Sequence, residues 1–157
     1  MRYNATRTAW EAVGGAGFSG SGSAYEISLA LNSAGVPYVA FCYGDGANNG
    51  TGMVMRLNTA GTAWEIVGGA GFSNAVKHPR MSLSSNGVPY VAFEDGQNGD
   101  RATIMRLNVA GNTWEIIGTA GFTPGMAFEI SLALNSAGVP YIGIRSRRTL
   151  YSKANGY

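Results

Sequence analysis

The sequence predicts an all-β protein, and three observations support this fold class. The phrase EISLALNSAGVPY occurs at residues 26–38 and again, letter for letter, at 129–141. Short runs of β-branched and aromatic residues alternate with turn signals rich in Gly, Asn and Ser, and 24 of the 157 residues are Gly. No window places apolar residues at i, i+3, i+4 and i+7 for long enough to form a helix. We therefore expect antiparallel strands joined by tight turns.

The duplicated phrase belongs to a unit that occurs three times. A stretch of the pattern MRxNxxxxxWExxGxAGF begins at Met1, Met55 and Met105. A second shared stretch follows each time, at 27–41, 81–93 and 130–144. These periods predict one domain of three repeats, approximately 1–54, 55–104 and 105–157.

Each repeat is predicted to contain four short strands. In the repeat that begins with ISLALN, the strands are expected at 27–32, 36–41, 52–58 and 63–68. Apolar residues alternate with smaller ones along the first strand. Gly35 suits a turn that requires a positive φ, and Pro37 stands at a strand start, where a missing N–H is tolerated.

Four antiparallel strands recurring about every 50 residues predict a β-propeller blade, because a small sheet with two apolar faces needs a neighbour on each side. Trp10, Trp64 and Trp114 recur on the fourth strand, and packing between blades is their favoured interpretation. Three blades cannot close a ring alone. The sequence therefore predicts either head-to-tail self-association, with a six-bladed homodimer favoured over a nine-bladed homotrimer, or a fragment of a longer array.

The order of strands predicts how such a ring would close. The chain opens with a third and fourth strand, around 1–4 and 9–13, and ends with a first, a second and a third strand, the last being RRTLYSKANGY at 147–157. The fourth strand of the last blade is thus expected from the N-terminus of another copy. Deleting residues 1–13 is expected to abolish the closed oligomer.

Composition limits the classes of partner. Charged residues make up 13% of the chain, about half the usual share, and the formal net charge is +2, so neither nucleic acid nor a membrane is an expected partner. A single cysteine rules out an internal disulfide. No apolar run approaches membrane-spanning length and no signal-peptide core is present, which predicts a soluble protein. Arg145, Arg147 and Arg148 form one local basic cluster, interpreted as a charged edge or as an anion contact.

The motifs WEx[VI]GxAGF[ST] and SLxxxxGVPY[VI] resemble a repeat common in bacterial, often secreted, β-propeller proteins of mostly uncharacterised role. This resemblance covers the whole chain and implies a fold and a bacterial secreted origin, but no activity. Gly61–Trp64 and Gly111–Trp114 are also similar to the Asp-box hairpin of sialidase-type propellers. Thr59 and Val109 occupy the Asp position of that box, so only the turn is carried over.

One Trp, one Arg and one Glu recur in every repeat and are candidate ligand-binding residues. They are Trp10, Trp64, Trp114, Arg2, Arg56, Arg106, Glu11, Glu65 and Glu115. With the tyrosines Tyr38, Tyr90 and Tyr141, they provide the aromatic faces and charged hydrogen-bonding groups that suit a sugar. The same residues at repeated positions would also serve blade packing, and both interpretations stay open.

No catalytic, cofactor-binding or metal-binding residue is assigned. His78 has no partner nearby in sequence, and Cys42 is interpreted as a small apolar strand residue. The loops at 44–50 and 95–100 offer oxygen ligands for Ca²⁺ but lack the spacing of a calcium loop, so solvated turns are favoured.

We predict a non-enzymatic self-assembling scaffold or binding module. A lectin-like multivalent carbohydrate binder is the alternative, a sialidase-like glycosidase fragment is less favoured, and the near-identical copies also fit an engineered or recently amplified repeat.

Overall fold

A computed structural model describes residues 1–20, 22–44 and 50–147 of the chain. The all-β prediction is confirmed, since the described residues contain strands, one 3₁₀ turn at Gly96–Asn98 and no α-helix. No helix in these ranges is long and apolar enough to cross a membrane. Two predicted features, the interior of the 44–50 loop and the strand beyond residue 147, lie outside the described residues.

Twelve strands follow one another within the described ranges. They are β1 (Arg2–Asn4), β2 (Ala9–Glu11), β3 (Ala24–Leu31), β4 (Pro37–Tyr43), β5 (Gly50–Leu57), β6 (Trp64–Ile66), β7 (Ser73–Leu83), β8 (Pro89–Asp95), β9 (Arg101–Leu107), β10 (Trp114–Ile116), β11 (Met126–Leu134) and β12 (Pro140–Arg147).

Consecutive strands within each unit pair in antiparallel fashion. Strands β3 to β6 form a first meander and β7 to β10 a second. Strands β1 and β2 pair as an N-terminal hairpin, and β11 and β12 as a C-terminal hairpin. The start of β7 also pairs with β5 at Gly50 and Gly52, which joins the two meanders into one eight-stranded sheet. The described strands form no closed sheet.

The core lies between successive meanders. Tyr38, Ala40 and Cys42 alternate along β4 on the side that meets the second meander, where Met81 and Phe93 belong to the same buried cluster. The opposite side of the second meander carries Ala92 and Ile104, which pack with Ile130 of the C-terminal hairpin. Each meander therefore contributes one apolar face to each junction, and the units stack face against face.

Equivalent positions differ in exposure according to where they stand in this stack. On β3, which no preceding meander covers among the described residues, Leu29 and Leu31 are each 61% exposed and Ile27 is 57% exposed. Their counterparts Met81 and Ile130, which meet the preceding unit, are 7% and 3% exposed. We call Ile27, Leu29 and Leu31 the front face. The difference reflects position in the stack, because β3 and β11 share the run EISLAL and yet Ile27 is exposed while Ile130 is buried.

The other end of the stack also exposes a residue whose counterparts inside the chain are buried. Tyr38 and Tyr90, on the sides of β4 and β8 that meet the following unit, are 6% and 7% exposed. The equivalent Tyr141 of β12 is 62% exposed. We call this side of β12 the back face. The chain thus presents two exposed surfaces whose counterparts inside the chain are buried against each other.

A bulge that the sequence did not predict interrupts the first strand of every unit. Glu26, His78 and Glu129 each adopt a positive φ, of 56°, 48° and 52° respectively. At each of them the register between the first and second strand shifts. A left-handed conformation in a residue other than Gly costs roughly 1–3 kcal/mol and is concentrated at functional sites. The repeat therefore holds one strained, ionisable residue per unit at the same place.

Candidate functional site

The repeated tryptophans lie at the junctions between units. Trp64 donates a hydrogen bond from its indole nitrogen to the carbonyl of Val13 (2.8 Å). The centroid of its ring lies 5.0 Å from the centroid of the Phe18 ring. The contacts of Trp114, one unit later, are to the carbonyl of Val67 (3.3 Å) and the ring of Phe72 (5.5 Å). Trp10 is 66% exposed. Two of the three tryptophans thus act as packing residues within the chain.

The repeated Arg and Glu residues form three equivalent ion pairs across the third and fourth strands. The N–O distances are 2.6 Å for Arg2–Glu11, 3.5 Å for Arg56–Glu65 and 3.4 Å for Arg106–Glu115. These pairs are largely solvent-exposed, so each contributes little to stability. Hydrogen bonds from Asn4 and Arg2 hold the pKa of Glu11 below its ordinary value.

Strand alternation separates the tryptophans from the ion pairs. Trp64 and Glu65 are neighbours in β6, so their side chains point to opposite faces of the meander. Within each unit the structure therefore brings Arg together with its Glu and leaves the Trp on the other face. Between units, Arg2 and Trp64 line the same cleft of about 570 Å³. No shared sugar-binding arrangement of these nine residues is seen.

The repeated tyrosines extend two of the ion pairs. Tyr38 lies opposite Arg56 in the strand register. The hydrogen bond between them is the main cause that raises the pKa of the Arg56 guanidinium, and Glu65 adds a smaller effect. Tyr90 acts on Arg106 in the same way. In the described part of the chain, the third tyrosine and the remaining arginine lie at opposite ends, with Arg2 on β1 and Tyr141 on β12.

A different group of residues, the bulge cluster, brings ionisable side chains into close contact. The two ring nitrogens of His78 lie 3.1 Å from Oε1 of Glu26 and 2.9 Å from Oε1 of Glu94. The backbone N–H of residue 78 also donates to Glu26 Oε2 (2.7 Å). At the next bulge, Arg145 pairs with Glu129 (3.0 Å). Sequence spacing did not reveal these partners of His78, although aligning the repeats places residues 26, 78 and 129 at one position.

Glu94 is the most deeply buried member of the bulge cluster. Its side chain is 4% exposed, and burial raises the pKa of the carboxyl against the opposing effect of His78. Its Oε1 is fully buried and lies 2.9 Å from His78 Nδ1, and no hydrogen bond to that oxygen is found among the described residues. Glu94 lines a cleft of about 350 Å³ between the second meander and the C-terminal hairpin. The cleft is lined by His78, Arg80, Glu94, Phe128, Glu129 and Arg145.

Cys42 occupies the position of Glu94 at the preceding junction, and its thiol is fully buried. Its Sγ lies 3.2 Å from the carbonyl oxygen of Val76 and 3.3 Å from Glu26 Oε2, two acceptors for the single S–H. Burial, followed by the neighbouring Glu26 carboxylate, raises the pKa of the thiol well above its ordinary value.

Since the thiolate is the reactive form, we predict no labelling of the native protein by a thiol-specific disulfide reagent at neutral pH. Complete labelling is expected in denaturant, and rapid labelling of the native protein would contradict the buried placement.

The acidic loop at 95–100 is occupied by internal contacts. Asp95 accepts hydrogen bonds from Gln97 N, Asn98 Nδ2 and Thr103 Oγ1, at 3.1, 2.8 and 2.7 Å. Asp100 pairs with Lys77 (2.8 Å). Throughout the part of the chain that the structure describes, no group of three or more His, Cys, Asp or Glu residues is placed to hold a metal ion.

Comparison with known proteins adds no functional assignment. No protein-family model matches the chain, and no curated protein matches it significantly.

Proposed function

We propose that the protein is a non-enzymatic scaffold whose copies associate head to tail into a closed β-propeller ring. One observation carries the proposal: the front and back faces are exposed at positions that are buried at the two junctions inside the chain. A second copy would present its front face to the back face of the first. The contact would repeat a geometry that this sequence already forms twice.

Trp10 and the surface around Gly118 support the same association. Inside the chain, each junction tryptophan lies over a glycine of the preceding unit, Trp64 over Gly14 and Trp114 over Gly68. The next glycine in this series is Gly118, which has the same φ of 76° as Gly68 and open space around it. The repeat positions of Val67 and Phe72 are filled here by Ile117 and by Phe122, which is 42% exposed. These three residues form what we call the tryptophan socket.

Trp10 of a second copy fits the tryptophan socket. It stands at the repeat position of Trp64 and Trp114, and its indole is exposed in the single chain. In the socket it would donate to the carbonyl of Ile117 and pack against Phe122, as Trp114 does with Val67 and Phe72. The indole would then be buried, which is the usual state of a large aromatic side chain.

The N-terminal hairpin would enter the neighbouring copy as one piece. Strands β1 and β2 are already paired with each other, so both would extend the C-terminal hairpin into a four-stranded meander. Arg2 would then lie opposite Tyr141, as Arg56 lies opposite Tyr38. The sequence-based expectation, in which only the fourth strand is exchanged, stays untested because its third strand at 147–157 extends beyond the described residues. A cleft of about 570 Å³ beside the front face, lined by Met1, Leu29 and Val39 among others, would receive the back face of β12.

Two copies would give six meanders and three copies would give nine. The dimer remains the favoured proposal because six-bladed rings are familiar among propellers. A lectin-like function stays without specific support, since the Trp of each unit lies on the opposite face from the Arg–Glu pair of that unit, and only Arg2 and Trp64 share a cleft among the described residues. The proposed role is therefore structural, with ligand recognition left to other parts of the ring.

Gly118→Ala tests the tryptophan socket without touching the core of a single chain. The new methyl group meets nothing within 4 Å in the isolated chain, but it would occupy the place where Trp10 of a second copy docks. We expect at least a tenfold weakening of association, or about 1.4 kcal/mol or more, measured by sedimentation equilibrium.

Gly111→Ala is the matched control. Its φ is 72°, its surroundings are equally open, and it lies in a hairpin turn away from the socket. Both variants carry the same left-handed strain, so their thermal unfolding should be similar while their association differs. Equal association of the two variants would contradict the proposed docking of Trp10.

A further inference from the structure

Two side chains of the first unit bind the backbone of the second. Glu26 Oε2 accepts a hydrogen bond from the backbone N–H of His78 (2.7 Å), and Ser28 Oγ accepts one from the backbone N–H of Met81 (3.0 Å). Both acceptors belong to β3 and both donors belong to β7. We call Glu26 and Ser28 the junction acceptors, because their hydrogen bonds cross from one unit to the next.

The second junction is built without such acceptors. His78 and Arg80 stand at the repeat positions of Glu26 and Ser28. A guanidinium carries donors and no acceptor, so an arginine cannot replace the serine in this role. The Arg80 guanidinium donates instead to the carbonyl of Pro79 (3.0 Å). Among the described residues, neither side chain accepts a hydrogen bond from β11. Two units can therefore stack without junction acceptors, and a recurrence of these acceptors needs a separate reason.

Both junction acceptors recur in the third unit, inside the duplicated phrase, as Glu129 and Ser131. Two residues after Ser131, the strand register places Ala133 opposite Tyr141. Because residues two apart on a strand share a face, Ser131 lies on the same side as Tyr141, which is the back face. Glu129 and Ser131 are both exposed. Within the described ranges the Ser131 hydroxyl has no hydrogen-bond partner, so it is available to a donor from outside the chain.

Glu129 divides its two oxygens as Glu26 does. Glu26 Oε1 lies 3.1 Å from the His78 imidazole, and Oε2 accepts the backbone hydrogen bond. Glu129 Oε1 lies 3.0 Å from the Arg145 guanidinium. In the part of the chain that the structure describes, no contact of Glu129 Oε2 is found. The oxygen that binds the next unit at the first junction is thus open at the back face.

The matching donors lie at the front face. Leu29 stands at the repeat position of Met81, and each of them pairs with a valine of the next strand. Glu26 stands at the repeat position of His78, and both adopt a positive φ, of 56° and 48°. Strand β3 ends the eight-stranded sheet, so its outer edge has no strand partner among the described residues. The backbone N–H groups of Glu26 and Leu29 are therefore placed as those of His78 and Met81 are.

We infer that Glu129 and Ser131 recognise a second copy of this chain by accepting hydrogen bonds from the backbone N–H groups of Glu26 and Leu29 of that copy. The inference rests on the proposed ring and adds the polar contacts that fix its direction. Acceptors lie at the back face and donors at the front face, so only a head-to-tail contact satisfies both. A back-to-back contact would bring two Glu129 carboxylates together and leave the donors unpaired. The exact duplication is then explained, because the first and third units present the same acceptors to the unit that follows.

Ser131→Ala and Glu129→Ala test the inference by sedimentation equilibrium of the full chain. Each variant should raise the dissociation constant at least tenfold, because it leaves a backbone N–H unpaired in a buried contact that a dimeric ring contains twice. Thr59→Ala removes a hydroxyl from an exposed hairpin turn and should leave the dissociation constant unchanged. All three side chains are exposed in a single chain, and circular dichroism checks that each variant is folded.

Amide hydrogen exchange followed by NMR locates the contact. At a concentration at which both proteins are assembled, the Leu29 amide should exchange at least tenfold more slowly in the unaltered chain than in Ser131→Ala. Ser28→Ala makes the same chemical change at the first junction. It should speed the exchange of the Met81 amide at least tenfold and leave the Leu29 amide protected, since its hydrogen bond lies inside one chain.

Failure of this inference and failure of the ring give different results. An oligomer whose dissociation constant is the same in Ser131→Ala, Glu129→Ala and the unaltered chain would overturn the assignment of these two acceptors and leave the ring in place. Rapid exchange of the Leu29 amide in the assembled, unaltered protein would do the same. An unaltered chain that stays monomeric would overturn the ring, and the inference with it.

Discussion

A chain that lacks residues 1–11 will fold and remain monomeric. The deletion removes the N-terminal hairpin, and with it Trp10, whose docking is the main apolar contribution to the proposed seam. It spares Val13, whose carbonyl accepts the hydrogen bond from Trp64. Deleting residues 1–13, as the sequence alone suggested, would also remove that internal contact and would mix loss of assembly with loss of stability. Light scattering on a sizing column gives the mass, and circular dichroism reports the fold.

Trp10→Ala isolates the largest single contact of that hairpin. A buried interface tryptophan contributes about 2–4 kcal/mol, and a dimeric ring contains the seam twice. The expected loss is therefore about 4–8 kcal/mol, or roughly 10³- to 10⁶-fold in the dissociation constant. Val109→Ala is the control, because Val109 is a fully exposed apolar residue in a hairpin turn. A Trp10→Ala protein with the mass of the unaltered oligomer at low concentration would contradict the seam.

Gly68→Ala is expected to produce the largest loss of stability within a single chain. Gly68 has a φ of 76°, and an added methyl group would overlap the indole nitrogen of Trp114 and approach Leu107 Cδ1 to 2.6 Å. The left-handed strain costs roughly 1–2 kcal/mol, and displacing the packed side chains costs a further 1–3 kcal/mol or so. The sum of about 3 kcal/mol corresponds to a fall in Tm of roughly 6–12 °C for a chain of this size.

Thermal unfolding of Gly68→Ala beside Gly111→Ala separates these two causes. Both glycines have nearly the same φ, but only Gly68 has neighbours within 4 Å. Gly111→Ala should therefore lose only the part that comes from backbone strain. If both variants unfold at the same temperature, Trp114 does not pack tightly over Gly68 and the description of the junction is wrong.

The strands could be predicted from sequence because their signals are local and repeated. Alternating apolar residues in Ile27–Leu31 and the turn at Gly35 appear again in later copies, so each copy supports the assignment of the others. The pairing of β5 with the start of β7 could not be predicted, since it joins two units through the glycines Gly50 and Gly52 rather than through any apolar pattern. Which face of β3 remains exposed also depends on stacking, which a single strand does not encode.

The candidate site could be predicted only in part. The sequence identified the recurring Arg and Glu residues, and the structure pairs them, but strand alternation places Trp64 and Glu65 on opposite faces. The partners of His78 depend on a bulge at which φ is positive in a residue other than Gly, and no residue-type signal marks such a conformation. Only the alignment of residues 26, 78 and 129 across the repeats could have drawn attention to it.

Native mass spectrometry of the unaltered chain over a dilution series tests the central claim most directly. Head-to-tail ring closure predicts one discrete species, made of two 16.4 kDa chains, that persists without larger open assemblies. A discrete trimer would support the ring and change the number of units to nine. A monomer at every concentration would contradict self-association and would mean that the front and back faces are covered by something other than a second copy of this chain.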